Sequence, residues 1–167
     1  MVENLGCGVI LYGPMTVRDA KISDAKAICA LINCYAEHDR MLFRSLAEVY
    51  ETLQTFLVAD GDGQVVGCCA LEIIWSDLAE IKSLAVSPSH KGRGLGAALV
   101  TAALKQAERL GLPRVFALTL EPGFFEKQGF RIVAKEELPM KVWSDCARCP
   151  KQQECDEIAV VKTLSGV

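Results

Sequence analysis

The chain has 167 residues, of which 51% are hydrophobic, and a formal charge of −3. That length suits one domain with a sizeable core. The acidic balance argues against nucleic acid as the main partner, and no apolar run approaches the ~20 residues a membrane span needs. Residues 1–14 are apolar but lack a leading basic segment and a small-residue cleavage site, so they do not read as a secretory signal. They read as an extension of open status: an expression remnant, an upstream start before Met15, or an extra strand. Residues 15–167 then form the domain, with a cysteine-containing segment at 141–156.

Val17-Arg18-Asp19 reads as a short strand, after which Ser23 or Asp24 caps a helix. Ala25, Ile28, Cys29, Ile32 and Tyr35 recur at helical spacing and give it one buried face. Leu46 to Phe56 suggests a second, shorter helix. Phe56–Asp60 and Val65–Ile74 read as strands joined by a hairpin at Gly61-Asp62-Gly63, because glycine accepts positive φ without penalty. Ala79–Val86 is another strand, ended by Ser87-Pro88.

A helix follows from about Gly94 to Leu110, with Thr101, Lys105, Glu108 and Arg109 on its polar face. Leu95, Ala98, Leu99, Ala102 and Ala103 lie largely on the buried side. Gly111 and Pro113 stop it. Val115–Leu120 is a strand, Gly123–Gln128 a short helix closed by Gly129, and Phe130–Val133 the start of another strand. Ile158–Leu164 is the last. Strands that first meander and then alternate with helices indicate an α/β chain with a mixed central sheet.

Between the Ala79–Val86 strand and the long helix runs Lys91-Gly92-Arg93-Gly94-Leu95-Gly96. Its glycines let the backbone turn tightly and bring N–H groups close to an anion. The helix start adds its positive dipole end. Lys91 and Arg93 add charge, and together these suit a diphosphate. A Walker loop is excluded, since no Gly-Lys-Ser/Thr follows. A dinucleotide fold is the alternative for the loop alone, although it places such a loop after its first strand.

Leu84-Ala85-Val86-Ser87-Pro88, the glycine run, and Phe124-Phe125-Glu126-Lys127-Gln128-Gly129-Phe130 resemble the GNAT superfamily of N-acetyltransferases. The resemblance covers Met15 to about Leu164. Val66-Gly67-Cys68, Trp75 to Ile81 and Lys141 to Cys146 look like short-form N-acetylglutamate synthases, which catalyse the first step of arginine biosynthesis. The resemblance implies flanking helices, a splayed strand pair, acetyl-CoA as cosubstrate and an amino-acid substrate. It implies a pantetheine arm held by Leu84, Ala85 and Val86, and a diphosphate held by Lys91, Gly92, Arg93, Gly94, Leu95 and Gly96. Homodimers are common in that family, and a chain that reads as having no secretory signal is expected in the reducing cytosol. Another small amine, or a peptide N-terminus, is an alternative acceptor. A non-catalytic acetyl-CoA-binding regulatory domain is an alternative of another class.

Acetyl transfer needs a neutral amine, and at neutral pH an α-amino group is mostly protonated, so a base helps. Glu80 is the candidate. Period-two alternation puts it on one strand face with Lys82, Leu84 and Val86, and it matches the glutamate base of many GNAT enzymes. The resemblance places a donor for the developing oxyanion at the backbone N–H near Leu84. It also expects a tyrosine where this chain has Phe125, so no general acid is assigned. Phe125 reads as packing against cofactor or core. A dicarboxylate acceptor calls for arginine or lysine. Arg44, which resembles a substrate-binding arginine of the synthases, and Lys82 are the candidates. Thr119-Leu120-Glu121-Pro122 lacks the further arginine some synthases carry there.

Of the eight cysteines, Cys7, Cys29, Cys34, Cys68 and Cys69 lie in apolar surroundings and read as buried free thiols. Cys146, Cys149 and Cys155 have the close spacing of a zinc knuckle, but structural zinc wants four ligands. Asp145, Asp156, a distant cysteine or a second chain would complete the set. A redox pair and a loop of free thiols are the alternatives.

Overall fold

The computed structural model describes residues 14–139, 146–150 and 154–166. The extension at 1–13, most of the Lys141 to Cys146 motif, and Asp145 lie outside them. Among the described residues no helix is long and apolar enough to cross a membrane.

The strands are β1 (Met15–Asp19), β2 (Phe56–Gly61), β3 (Gln64–Trp75), β4 (Leu78–Val86), β5 (Arg114–Thr119), β6 (Arg131–Val133) and β7 (Ile158–Thr163). The helices are α1 (Ala25–Ala36), α2 (Leu46–Glu51), α3 (Leu95–Arg109) and α4 (Pro122–Lys127). The strands form one mixed sheet in the order β1-β2-β3-β4-β5-β7-β6. Among the described residues its only parallel neighbours are β4 and β5.

Apolar side chains alternate along the strands and feed two layers. Leu57, Ala59, Leu71, Ile81 and Val115 meet Leu99, Val100 and Ala103 of α3. Val58, Cys68, Ala70 and Ala85 meet Ile28, Ile32 and Val49 of α1 and α2 on the opposite face. On that same face, farther along the sheet, Leu78, Phe116 and Val161 pack under Leu138. A β-carbon at Gly67 would stand 3.1 Å from Leu99 Cδ1, so its glycine lets α3 sit close on the sheet.

Several boundaries differ from the sequence expectation. The second helix stops at Glu51, and Leu53–Thr55 form a 3₁₀ turn before Phe56 opens β2. Ala98 of α3 is exposed. Cys34 is exposed and Cys29 only half-buried. Burial pushes the Cys68 and Cys69 thiols up, Cys69 to about 12; both stay protonated and inert.

Neither Ser23 nor Asp24 caps α1 with its side chain. The Asp24 carboxylate accepts instead from the Lys21 N–H at 2.7 Å and from both terminal nitrogens of Arg18 at 2.7 and 3.1 Å. Arg18 also donates to Asp60, at 2.9 and 3.1 Å. This network ties β1, the start of α1 and the β2 turn together. The Arg18 hydrogen bond holds the Asp24 carboxyl below its ordinary range, against the opposing effect of burial. A carboxyl with a depressed folded pKa stabilises fully above its unfolded pKa of about 3.9 and loses that contribution as pH falls through the folded value. Asp24→Asn should therefore cost about 1–3 kcal/mol at neutral pH. In chemical denaturation the gap should shrink as the pH drops below about 4; an equal gap at both pH values would contradict the assignment.

Candidate active site

The pairing of β4 with β5 is short. Only Ala79 with Val115 and Glu80 with Phe116 are partnered. Beyond them β5 stays with β7 as far as Thr119 opposite Ile158, while β4 follows β3. The two strands therefore separate, and the gap is the middle of a cleft of about 920 Å³.

β4 also carries a bulge. Cys68 pairs with Ala85 and Ala70 with Lys82, so Ser83 and Leu84 together oppose the single residue Cys69. Ser83 takes φ 52°, the left-handed region, as bulges often require. The bulge shifts the alternation by one. Leu84 and Val86 pack on the α3 side, with Leu71 and Leu99. Glu80 and Lys82 fall on the α1 side, where Glu72 stands opposite Glu80. The common face expected for Glu80, Lys82, Leu84 and Val86 is thus corrected. Glu80 reaches the Leu84 end through the gap, not along a shared face.

On the α3 side Gly94 has φ 76° and occupies the cap position of α3. This left-handed turn costs a side-chain-bearing residue about 1–2 kcal/mol and presents the helix's first N–H groups to the cleft. Gly92, Gly94, Leu95, Gly96 and Lys91 line it, with Phe124 and Phe125 opposite. Phe125 is buried, edge-on to Phe124 and Phe130. Arg93 is exposed and does not line the cleft, and the Ala85 side chain is buried among α1-side apolar groups.

Glu80, Lys82 and Arg44 line the α1 side. Glu80 is 8% exposed. The Lys82 ammonium lies 2.8 Å from Glu72 and 3.7 Å from Glu80, so two carboxylates already engage it. The Arg44 backbone is clamped by one side chain: Asn33 Nδ2 donates to its carbonyl at 2.8 Å, and its N–H donates to Asn33 Oδ1 at 2.9 Å. Ser45 follows as the cap of α2, accepting from the Glu48 N–H, while Glu48 accepts from the Ser45 N–H.

Cys146, Cys149 and Cys155 line the same cleft, but among the described residues no group of three or more His, Cys, Asp or Glu side chains is arranged to hold a metal ion. The described residues thus give no support to the knuckle expectation, and Asp145, one of its possible fourth ligands, lies outside them. Cys155 accepts from Lys135 Nζ at 3.4 Å. Burial first, then the charges of Glu157, Cys155, Cys149 and Glu80, raises the Cys146 thiol.

Some lining residues carried no sequence signal. Tyr35, counted as one more apolar position of α1, donates its hydroxyl to the Val86 carbonyl at 2.5 Å. Its ring lies 5.0 Å beneath the Lys91 ammonium. It therefore links the end of β4 to the glycine run. Arg40, just after α1, pairs with Glu121 at the start of α4. That contact spans 81 positions, which no local pattern encodes.

Comparison with known proteins agrees with this architecture. Residues 25–130 match the acetyltransferase (GNAT) family. The chain is 45% identical over 148 residues to an uncharacterized N-acetyltransferase of Chlorobaculum tepidum, covering 89% of this chain and 96% of that one. It is 41% identical over 135 residues to an amino-acid acetyltransferase of Mycobacterium tuberculosis, covering 79% and 77%. N-acetylglutamate synthase from Neisseria gonorrhoeae, solved with coenzyme A and N-acetyl-glutamate, superposes with a TM-score of 0.83 at 29% identity, over 92% of this chain and 36% of that one. With its splayed strands, glycine-capped helix and sequence matches, the chain belongs to the GNAT family of acetyltransferases.

Proposed function

We propose that the chain moves the acetyl group of acetyl-CoA to the α-amino group of an amino acid, L-glutamate above all, the first step of arginine biosynthesis. The observation that carries this reading is the single cleft passing through the sheet. It joins the α3 helix start on one face to Glu80 and Arg44 on the other. The name of the Mycobacterium relative supports an amino-acid acceptor, and that of the Neisseria synthase supports glutamate among them.

In this reading the diphosphate of acetyl-CoA sits at the start of α3, where N–H groups, helix dipole and Lys91 favour negative charge. The pantetheine arm runs along Leu84 to Val86, although the Val86 carbonyl is already taken by Tyr35. The thioester then lies in the gap. Glu80, reached from the α1 side, takes a proton from the acceptor ammonium, directly or through water. The neutral amine attacks the thioester carbon. A backbone N–H at the bulge, near Leu84, stabilises the charge that develops on oxygen. The C–S bond breaks, coenzyme A leaves as its thiolate, and the nitrogen gives up its remaining extra proton to water, leaving the neutral amide. Arg44 pairs with a carboxylate of the acceptor.

Three substitutions separate these roles. Glu80→Gln should lower kcat about 10²-fold or more near neutral pH, with part of the loss recovered at high pH, where the amine deprotonates unaided. An unchanged pH–rate profile would remove Glu80 from the mechanism. Arg44→Ala should raise the glutamate KM about tenfold and leave the acetyl-CoA KM near its starting value; equal changes in both would contradict a role at the acceptor. Gly94→Ala should raise the calorimetric Kd for coenzyme A up to about tenfold, because the free loop relaxes out of the left-handed turn and binding must restore it at a cost of about 1–2 kcal/mol, whereas an unaltered Kd would place the diphosphate elsewhere.

A further inference from the structure

Two cations that line the cleft, Lys82 and Arg40, differ in how far they are committed. Lys82 is held by two carboxylates and is only 13% exposed at its side chain. Arg40 is held by one, Glu121, and both side chains stand largely in water, 47% and 66% exposed. An ion pair this open adds little to folding. It is also readily exchanged, because a carboxylate entering the cleft meets the guanidinium without displacing any buried group.

The placement of Arg40 is not loose. Helix α1 ends in a paired cap: Arg40 N–H donates to the Tyr35 carbonyl and Asp39 N–H to the Ala36 carbonyl, both at 3.0 Å. Asp39 takes φ 56°, the left-handed position of such a cap. The Arg40 backbone is thereby fixed on the lip of the cleft that also carries Arg44. Glu121 stands on the other lip, where its N–H donates to the Thr119 hydroxyl at 2.8 Å as the chain leaves β5. Both Arg40 and Glu121 line the cleft.

We propose that Arg40 is a specificity-determining residue for acidic acceptors: its guanidinium exchanges Glu121 for the acceptor's second carboxylate, and Glu121 competes for the same fork. An arginine suits this exchange because its planar fork donates to a carboxylate through two nitrogens, and Glu121 engages only one of them. The inference rests on the amino-acid acetyltransferase reading and gives it a reason to prefer a dicarboxylate. Glu121 also repels a second carboxylate that does not reach Arg40, which disfavours acidic acceptors of the wrong length.

The test uses opposite signs. With glutamate as acceptor, Arg40→Gln raises the KM about tenfold and Arg40→Lys raises it less, while Glu121→Gln frees the arginine and lowers the KM about threefold. With glutamine as acceptor, and for acetyl-CoA, every change stays within about twofold. In parallel, calorimetry with N-acetylglutamate on the full chain saturated with coenzyme A should give Kd shifts of the same signs. Shifts in one direction for Arg40→Gln and Glu121→Gln, or equal shifts for glutamate and glutamine, would overturn the proposal and leave the pair as a clasp between loops. Should the wild-type chain turn over no amino acid, the functional reading fails by itself, and the N-acetylglutamate Kd still decides the role of Arg40. Turnover of neutral acceptors alone, with no binding of N-acetylglutamate, also overturns it.

Discussion

The organisation of this chain depends on how far β4 can be shared. Two residue pairs join it to β5, and after Glu80 and Phe116 the neighbours part. β5 is held by six pairs to β7 on its far side, and β4 is held by β3. The bulge at Ser83 and Leu84 adds local twist to β4 just where the strands separate. A sheet that opens in its middle exposes backbone polar groups, which must find partners. One is satisfied internally, by the Tyr35 hydroxyl on Val86. A second is the Ser83 carbonyl, which accepts from Cys68 Sγ at 3.5 Å.

The same opening explains how one cleft serves both faces of the sheet. Apolar cores cover the α3 side and, in two separate patches, the α1 side. Glu72, Glu80 and Lys82 occupy the interval between those two patches. Polar groups placed there avoid the cost of a buried unpaired charge because they pair with one another. The carboxylates and the lysine therefore sit on one face, and the glycine-capped start of α3 on the other. The gap between β4 and β5 lies between the two.

Much of this was legible in the sequence because it is local. Gly94 and Gly111 mark both ends of α3, and each adopts the positive φ that its residue type announces. The succession of strands along the chain follows from the sequence of hydrophobic runs, but the insertion of β7 between β5 and β6 does not. What escaped was carried by residues with no such mark. Ser83 bulges without being glycine, so simple alternation put Glu80 and Leu84 on one face. Asp39 ends α1 in a left-handed turn that a glycine would have advertised. Asp24 looks like a helix cap, but its carboxylate is claimed by Arg18, six residues earlier. The Arg40–Glu121 pair joins loops that only the folded sheet brings together. The cysteine spacing was legible as a pattern, yet spacing alone could not tell a ligand set from thiols along a cleft wall.

The central claim is that an acyl group delivered from the α3 side meets an amine arriving from the α1 side in the gap between β4 and β5. Thiol release from acetyl-CoA, measured across a panel of free amino acids, amines and peptides, tests it most directly. The account predicts release that depends on an α-amino acid and is fastest with glutamate. Tight acetyl-CoA binding with no release on any acceptor, or release with peptides alone, would contradict it.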